Sequence, residues 1–262
     1  MLSFKGVPLA ARKPLLSIRN LQKIYKTRDG SLEALGSVSF DIYPGEFVSI
    51  VGPSGCGKTT LLKVIAGLLP KSGGEIEVDQ EHFDPTREVG FVFQKSLLLH
   101  WRRVIDNVLL PVEILGLDRS ALKGKALELL ELVGLKGFEQ SWPNELSGGM
   151  QQRVSIARAL IHDPKLMLMD EPFGALDALT RERMNLELLR IWEEARKTVL
   201  FVTHGINEAI FLSDRVIVLS ARPSRMIEAL DIALPRPRTL EVRTSPEFGR
   251  YALQVYNCLE IK

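Results

Sequence analysis

The sequence predicts an α/β fold built on a phosphate-loop core, and three observations carry that reading. Residues 47–51 (Phe47, Val48, Ser49, Ile50, Val51) are a short, mostly apolar and partly β-branched run, the pattern of a buried strand. The run leads directly into Gly52-Pro53-Ser54-Gly55-Cys56-Gly57-Lys58-Thr59, which fits G-x-x-x-x-G-K-[ST], and then into a helix-forming stretch at 60–69. A second run, Leu166-Met167-Leu168-Met169, ends in Asp170-Glu171-Pro172, so two carboxylates stand at the carboxyl end of a central parallel strand. That edge is where open α/β sheets bind ligands.

The chemistry of the loop follows from its residue types. Glycines let backbone N–H groups wrap a phosphate chain, and the helix start adds partial positive charge. Lys58 is expected to reach the β- and γ-phosphates and the Thr59 hydroxyl to ligate Mg²⁺. Asp170 is expected to hold Mg²⁺ and its waters, and Glu171 to polarise an attacking water. Cys56 lies beside Lys58 and near a helix amino end, so its thiolate is expected to be favoured.

With 262 residues the chain holds one or two domains and a substantial core. Its 45% hydrophobic and 25% charged residues are ordinary for a globular protein, and a net charge of +2 gives no bulk field for nucleic acid. The two cysteines, Cys56 and Cys258, form no metal motif or disulfide framework, which suits a reducing cytosol. Residues 1–14 lack the apolar core of a secretory signal. No segment has the roughly 20 uninterrupted apolar residues of a membrane span. The nearest, 104–115, is broken by Asp106, Asn107, Pro111 and Glu113.

Taken in order, 15–21 alternates and starts the first strand, Arg28-Asp29-Gly30-Ser31 is a turn, and a second strand covers 35–42. Two antiparallel strands before the phosphate loop suggest a small accessory sheet. Tyr25 between them offers an aromatic face to a nucleotide, or is an ordinary core or surface aromatic. Further strands are expected at 75–78 and 88–93, the latter ending near Gln94, by itself only a loop residue. An apolar loop with His100 and Trp101 follows; the lone histidine reads as structural, and the tryptophan as core or docking surface. Residues 104–133 are helical in pattern. Ser147 is a natural N-cap for a helix at 151–161, and Gly148 and Gly149 leave its first amides open. This is a second anion-binding helix start or a plain cap. A long amphipathic helix spans 177–196, a strand 198–203 with His204 at its carboxyl end, and further extended segments 215–220 and 226–234. Pro235-Arg236-Pro237-Arg238 breaks the chain, and Ser245-Pro246 opens a last helix.

With these residues in hand, the chain resembles the ATP-binding-cassette ATPases, the nucleotide-binding subunits of ABC transporters, over about residues 15–220. Leu146-Ser147-Gly148-Gly149-Met150-Gln151-Gln152-Arg153 looks like the family signature, and the other motifs stand in the family's order. The resemblance implies that Tyr25 stacks on adenine and that ATP also lies on Gly52, Pro53, Ser54, Gly55, Cys56, Gly57, Lys58, Thr59 and Thr60. It implies that Gln94 reaches Mg²⁺ and the water beside Thr59 and Asp170, that Glu171 and the switch histidine His204 serve hydrolysis, and that Asp177 is a dimer contact. Ser147, Gly148, Gly149 and Gln151 then act on the ATP of a second copy in a head-to-tail dimer.

A finer resemblance is to the nitrate/sulfonate/taurine importer branch. It is marked by Phe91-Val92-Phe93-Gln94, Trp101-Arg102, Asn107-Val108-Leu109-Leu110-Pro111-Val112-Glu113, Ala221-Arg222-Pro223-Ser224-Arg225 and Leu234-Pro235-Arg236-Pro237-Arg238. Two departures are His100, where a proline is common, and Gly205, where an aspartate is usual. The resemblance thus implies an ABC-type α/β ATPase with accessory antiparallel and helical subdomains, using ATP and Mg²⁺. Its partners would be a second copy and membrane permease subunits, with a solute-binding protein met indirectly and no nucleic acid. Its place would be the cytoplasmic face of a bacterial inner membrane. Residues 1–14 form an N-terminal tail, 15–235 the ATPase domain with a helical subdomain at about 95–160, and 236–262 a C-terminal extension with a terminal helix. The rival classes are an ABC protein acting on DNA or ribosomes, which usually carries a long coiled coil or tandem cassettes, and a monomeric kinase, which lacks the signature.

Overall fold

The computed structural model describes residues 13–28, 30–78 and 84–259. Most of the expected tail at 1–14, Asp29 of the expected turn and residues 260–262 of the extension lie outside the described residues.

Strand β1 (Leu16–Thr27) and β2 (Gly30–Ile42) form an antiparallel hairpin. β3 (Phe47–Val51) passes through the phosphate loop into helix α1 (Lys58–Ile65), and β4 (Gly73–Val78) returns to pair with β1, completing a three-stranded accessory sheet β2-β1-β4. β1 continues six residues beyond the expected end at Leu21, so Tyr25 lies in the strand rather than after it. A register shift between Ile18 and Leu21, with Asn20 at φ 49°, breaks the two-residue alternation there and hides the second half of the strand from a pattern reading.

The helical insertion follows α2 (Pro85–Glu88) and β5 (Val89–Val92). Its expected long helical tract is three helices, α3 (Val104–Val108), α4 (Leu110–Ile114) and α5 (Arg119–Leu132). Pro111 stands in the first turn of α4, Gly116 at φ 66° follows that helix, and Asp118 accepts N–H bonds from Ser120 and Ala121 to start α5. α6 (Gly148–Leu160) begins three residues earlier than the pattern suggested, because Ser147 accepts the Met150 N–H and the two glycines form the first turn.

The chain then returns to the main sheet through β6 (Leu166–Asp170), α7 (Ala178–Ala195), β7 (Thr198–Val202), α8 (Ile206–Leu212), β8 (Arg215–Leu219), β9 (Met226–Asp231) and α9 (Pro246–Cys258). The order is β5-β6-β7-β3-β8-β9, parallel except for β9.

The central strands are mostly apolar because both sheet faces are covered. Phe47, Met167, Met169, Val199, Phe201, Val216 and Val218 join a core with the helical insertion, α7, α8 and α9. Their neighbours Val48, Ile50, Leu166, Leu168, Leu200, Val202, Ile217 and Leu219 point the other way, into a second core beneath α1 and the accessory sheet. Each such side chain contributes about 1.5–3 kcal/mol by leaving water. The one polar residue of β3, Ser49, is fully buried and is satisfied by the hydroxyl of Ser213 at the end of α8. Among the described residues no helix is long and apolar enough to cross a membrane.

Candidate nucleotide and catalytic site

The main sheet assembles the site by bringing the carboxyl ends of β5, β6, β7 and β3 side by side. Gln94 follows β5, Asp170 ends β6 with Glu171 next, His204 follows β7, and the phosphate loop follows β3. Parallel register pairs Asp170 with Val202, which sets Glu171 and His204 at one level.

The loop turns on Gly57, at φ 112°, where a Cβ would come within 2.9 Å of the Ala34 carbonyl. Pro53, Ser54 and Gly55 are exposed along its rim. Lys58, 6% exposed, donates from Nζ to the carbonyls of Gly52 at 2.8 Å and Pro53 at 3.1 Å, so its ammonium lies inside the loop. The Tyr25 hydroxyl is 3.3 Å from Thr60 Oγ1, which sets the aromatic ring beside the first turn of α1. Lys23 Nζ lies 5.1 Å from the centre of that ring.

Thr59 Oγ1 donates to Asp170 Oδ1 at 2.8 Å, joining the phosphate loop to the strand-end carboxylate. Burial pushes the Asp170 carboxyl up, and the Thr59 hydrogen bond opposes it. Among the described residues no group of three or more His, Cys, Asp or Glu could hold a metal by itself. One hydroxyl and one carboxylate fit Mg²⁺, a hard ion that binds few protein oxygens and completes its shell with water and substrate phosphates.

Glu171 sits at φ 44°, a left-handed conformation that costs a non-glycine residue about 1–3 kcal/mol. Its N–H donates to Val202 O at 2.9 Å and its carbonyl accepts from Gly174 N at 3.0 Å, so β7 and the following turn hold it there. Its Oε2 lies 3.2 Å from His204 Nδ1. A Cβ added to Gly174 would lie 3.4 Å from Gln94 Nε2 and 3.5 Å from Glu171 Oε2, so both side chains reach the same turn. A carboxylate beside an imidazole, at the sheet edge that also carries the phosphate loop, can take a proton from water.

The signature residues stand elsewhere. Ser147 caps α6, and a Cβ on Gly149 would meet Thr180 of α7, so this helix start borders the loop that ends in Asp177. Asp177 accepts from Thr180 N and caps α7. No hydrogen bond among the described residues joins the signature to the phosphate loop. Gln151, expected beside the signature glycines, turns its amide inward: Nε2 donates to Pro143 O at 2.9 Å, and Oε1 accepts from Ser96.

The roles of three polar residues escaped the sequence reading. Buried Gln152 donates to Phe93 O at 3.0 Å, and Arg158 donates to Ser96 O at 2.6 Å and Leu97 O at 2.8 Å, so α6 grips the loop on both sides of Gln94. Asn107, fully buried, bonds the backbone of Leu99, Arg102 and Arg103 and shapes the loop carrying Trp101. Polar residues among the apolar positions of a helix were the available signal, but their targets are bare carbonyls that no sequence pattern marks.

The expectation for Cys56 is corrected. Its thiol is 1% exposed, and burial pushes its pKa up against the opposing charge of Lys58. Maleimide should therefore label Cys258, which is partly exposed, well before Cys56 in the folded protein, read by mass spectrometry. Equal labelling of both would overturn this.

The fold and site define a phosphate-loop nucleotide-hydrolysing domain. The ABC transporter family model matches residues 35–174. An uncharacterised ABC transporter ATP-binding protein of Methanocaldococcus jannaschii is 47% identical over 249 residues, spanning 95% of this chain and 92% of that protein. An aliphatic sulfonates import ATP-binding protein of Bacillus cereus is 43% identical over 242 residues, 92% of this chain and 95% of the other. A dimeric bacterial ABC transporter cassette superposes with a TM-score of 0.72 at 36% identity, covering 84% of this chain and all of that one. A dimeric post-hydrolysis cassette bound to ADP and Pi matches with a TM-score of 0.72 at 35% identity. The chain belongs to the ABC transporter family, as an ATP-binding subunit with ATPase activity.

Proposed function

We propose that this subunit energises an importer of small sulfonates or related solutes such as taurine or nitrate, docked at the cytoplasmic face of the membrane on permease subunits. The observation that carries the reading is an apolar groove of about 350 Å³ next to the catalytic loop, lined by Phe91, Phe93, Leu97, Leu110, Ile114 and Arg158, among others. Arg158 lines the groove and also holds Ser96 and Leu97, so an occupant is mechanically joined to the Gln94 loop. A short helical segment of the permease fits such a groove. Trp101, 74% exposed, stands on the same loop and supplies a further apolar anchor. The aliphatic-sulfonate relatives support the solute class.

In this reading two copies face head to tail, and Ser147, Gly148 and Gly149 of each close on the ATP held by the partner. Having one anion-binding helix start in the phosphate loop and another at the signature supports such sharing. Tyr25 stacks on the base, Lys58 and the loop amides bind phosphate oxygens, and Asp177 lies at the dimer contact. Thr59, Asp170 and Gln94 would hold Mg²⁺, which would supply charge neutralisation to the phosphates. Glu171 takes the proton from water as its oxygen attacks the γ-phosphorus; the bond to the β,γ-bridging oxygen breaks and ADP leaves with the electron pair. His204 holds the Glu171 carboxylate in place.

The test is to co-purify the subunit with its permease and solute-binding protein, screen taurine, alkanesulfonates and nitrate by thermal shift, and measure ATP-driven uptake. Uptake of a sulfonate supports the reading; a complex that transports none of these solutes overturns the solute class. Trp101→Ala should leave the basal ATPase rate of the isolated subunit unchanged while lowering permease capture or transport by about tenfold, as loss of a buried aromatic anchor does. Equal transport by the variant would remove Trp101 from the docking surface.

A further inference from the structure

The segment Pro235-Arg236-Pro237-Arg238 packs against the short helix that begins immediately after His204. α8 starts at Ile206 with Gly205 as its N-cap, and six of its seven residues are buried. Its amino end is tied through Thr203, whose hydroxyl accepts the Gly205 N–H at 2.9 Å and donates to the carboxylate of Glu208. Burial pushes that carboxyl up, with the Thr203 and Asn185 bonds opposing.

The carboxyl end of α8 is held by the extension. Arg238, 5% exposed, donates from Nη1 to the carbonyls of Ile210 at 3.0 Å, Phe211 at 2.9 Å and Ser213 at 2.7 Å. Its Nη2 reaches Ile232 O at 3.3 Å and Leu234 O at 3.5 Å. These include carbonyls that a helix end leaves unpaired, and a cation there meets the negative end of the helix dipole. No carboxylate forms an ion pair with Arg238 among the described residues, and burial, with Arg236 nearby, lowers its pKa to about 10. A glycine or asparagine ends most helices without burying a charge. A buried guanidinium spread over five carbonyls fixes a position as well as satisfying it.

Arg236 completes the corner. It donates to Leu212 O at 2.8 Å, pairs with Asp214 and lies 4.3 Å over the ring of Trp192, near the end of α7. Asp214 in turn accepts the Phe47 N–H at 3.0 Å, and Ser213 bonds Ser49, both in the strand that carries the phosphate loop. α8 is only about 10 Å long and has no room to bend, so a displacement at its carboxyl end is passed to its first turn.

We propose that Arg238 is a positioning residue for His204: by anchoring the carboxyl end of α8 it sets the place from which His204 meets Glu171. The inference rests on the catalytic reading of His204 given above. It assigns the extension a part in hydrolysis although none of its described residues lies in the nucleotide site.

The test uses Arg238→Lys and Arg238→Gln in the full chain. It follows ATPase kinetics, fluorescent-nucleotide affinity, melting temperature and the imidazole Cε1–H NMR resonances. The chain has four histidines, and the His204 signal is assigned by its loss in His204→Asn. Expected for Arg238→Gln are unchanged nucleotide affinity and KM, a kcat lower by about tenfold, and a His204 resonance that moves or broadens while those of His100 and His162 stay; Arg238→Lys restores part of both. A lower melting temperature with kcat and the His204 resonance unmoved would overturn the proposal and leave Arg238 a plain helix cap. If neither variant folds, Arg243→Met decides by the same readouts. Its guanidinium lies 4.5 Å over the Phe211 ring of α8 and pairs with Glu182, so the change is milder. Should His204→Asn hydrolyse ATP normally, the catalytic reading fails, while the resonance shift still reports whether Arg238 places the ring.

Discussion

Glu171→Gln is expected to bind ATP as the parent does and to hydrolyse it about 10²–10⁴-fold more slowly, the span a positioned general base contributes. The amide keeps the size and planarity of the carboxylate. The left-handed backbone at φ 44° is held by main-chain bonds to Val202 and Gly174, which the substitution leaves in place. What is lost is the basic oxygen 3.2 Å from His204 Nδ1. Binding groups on the phosphate loop are untouched, so nucleotide affinity stays and turnover falls. With hydrolysis stalled, ATP should hold two copies together, as the dimeric relatives support. Light scattering at saturating ATP reads the dimer, and quench-flow reads the single-turnover rate. A variant that turns over at the parental rate removes Glu171 from the chemistry.

Lys58→Ala is expected to weaken ATP binding by about 10–100-fold, the worth of one or two charge-assisted hydrogen bonds, and to bring steady-state hydrolysis near background. Lys58 is 6% exposed, and among the described residues its ammonium bonds the carbonyls of Gly52 and Pro53. The Gly52 carbonyl is buried, so leaving it without this donor should cost the fold about 1–3 kcal/mol. Equilibrium binding of a fluorescent ATP analogue and thermal melting separate the two effects. Normal turnover with normal melting would remove the phosphate loop from the site.

The main strands and the phosphate loop were legible because their causes are local. β3 and β8, and the apolar run of β6, lie within a residue of where apolar runs placed them, since a strand covered on both faces is apolar at nearly every position. Ser147 was legible as a cap because an N-cap bonds an amide three residues away. The motifs named candidate residues for the site, and their places at the ends of parallel strands implied that Asp170, Glu171 and His204 would share one edge.

The sequence by itself determined the class of chemistry: a glycine loop with lysine and threonine, an acidic pair at a strand end and a second helix start suited to anions are properties of residue type and short spacing. Only the tertiary structure decided the pairings. Thr59 meets Asp170 across 111 residues, Glu171 meets His204 across 33, and Arg238 reaches carbonyls up to 28 residues away. Such contacts depend on strand order and register, which no local pattern encodes. Cys56 shows the same limit in electrostatics. Lys58, two residues on, is positively charged, yet the Cys56 pKa moves up, because desolvation sums over every group packed around the thiol and those groups come from the whole fold.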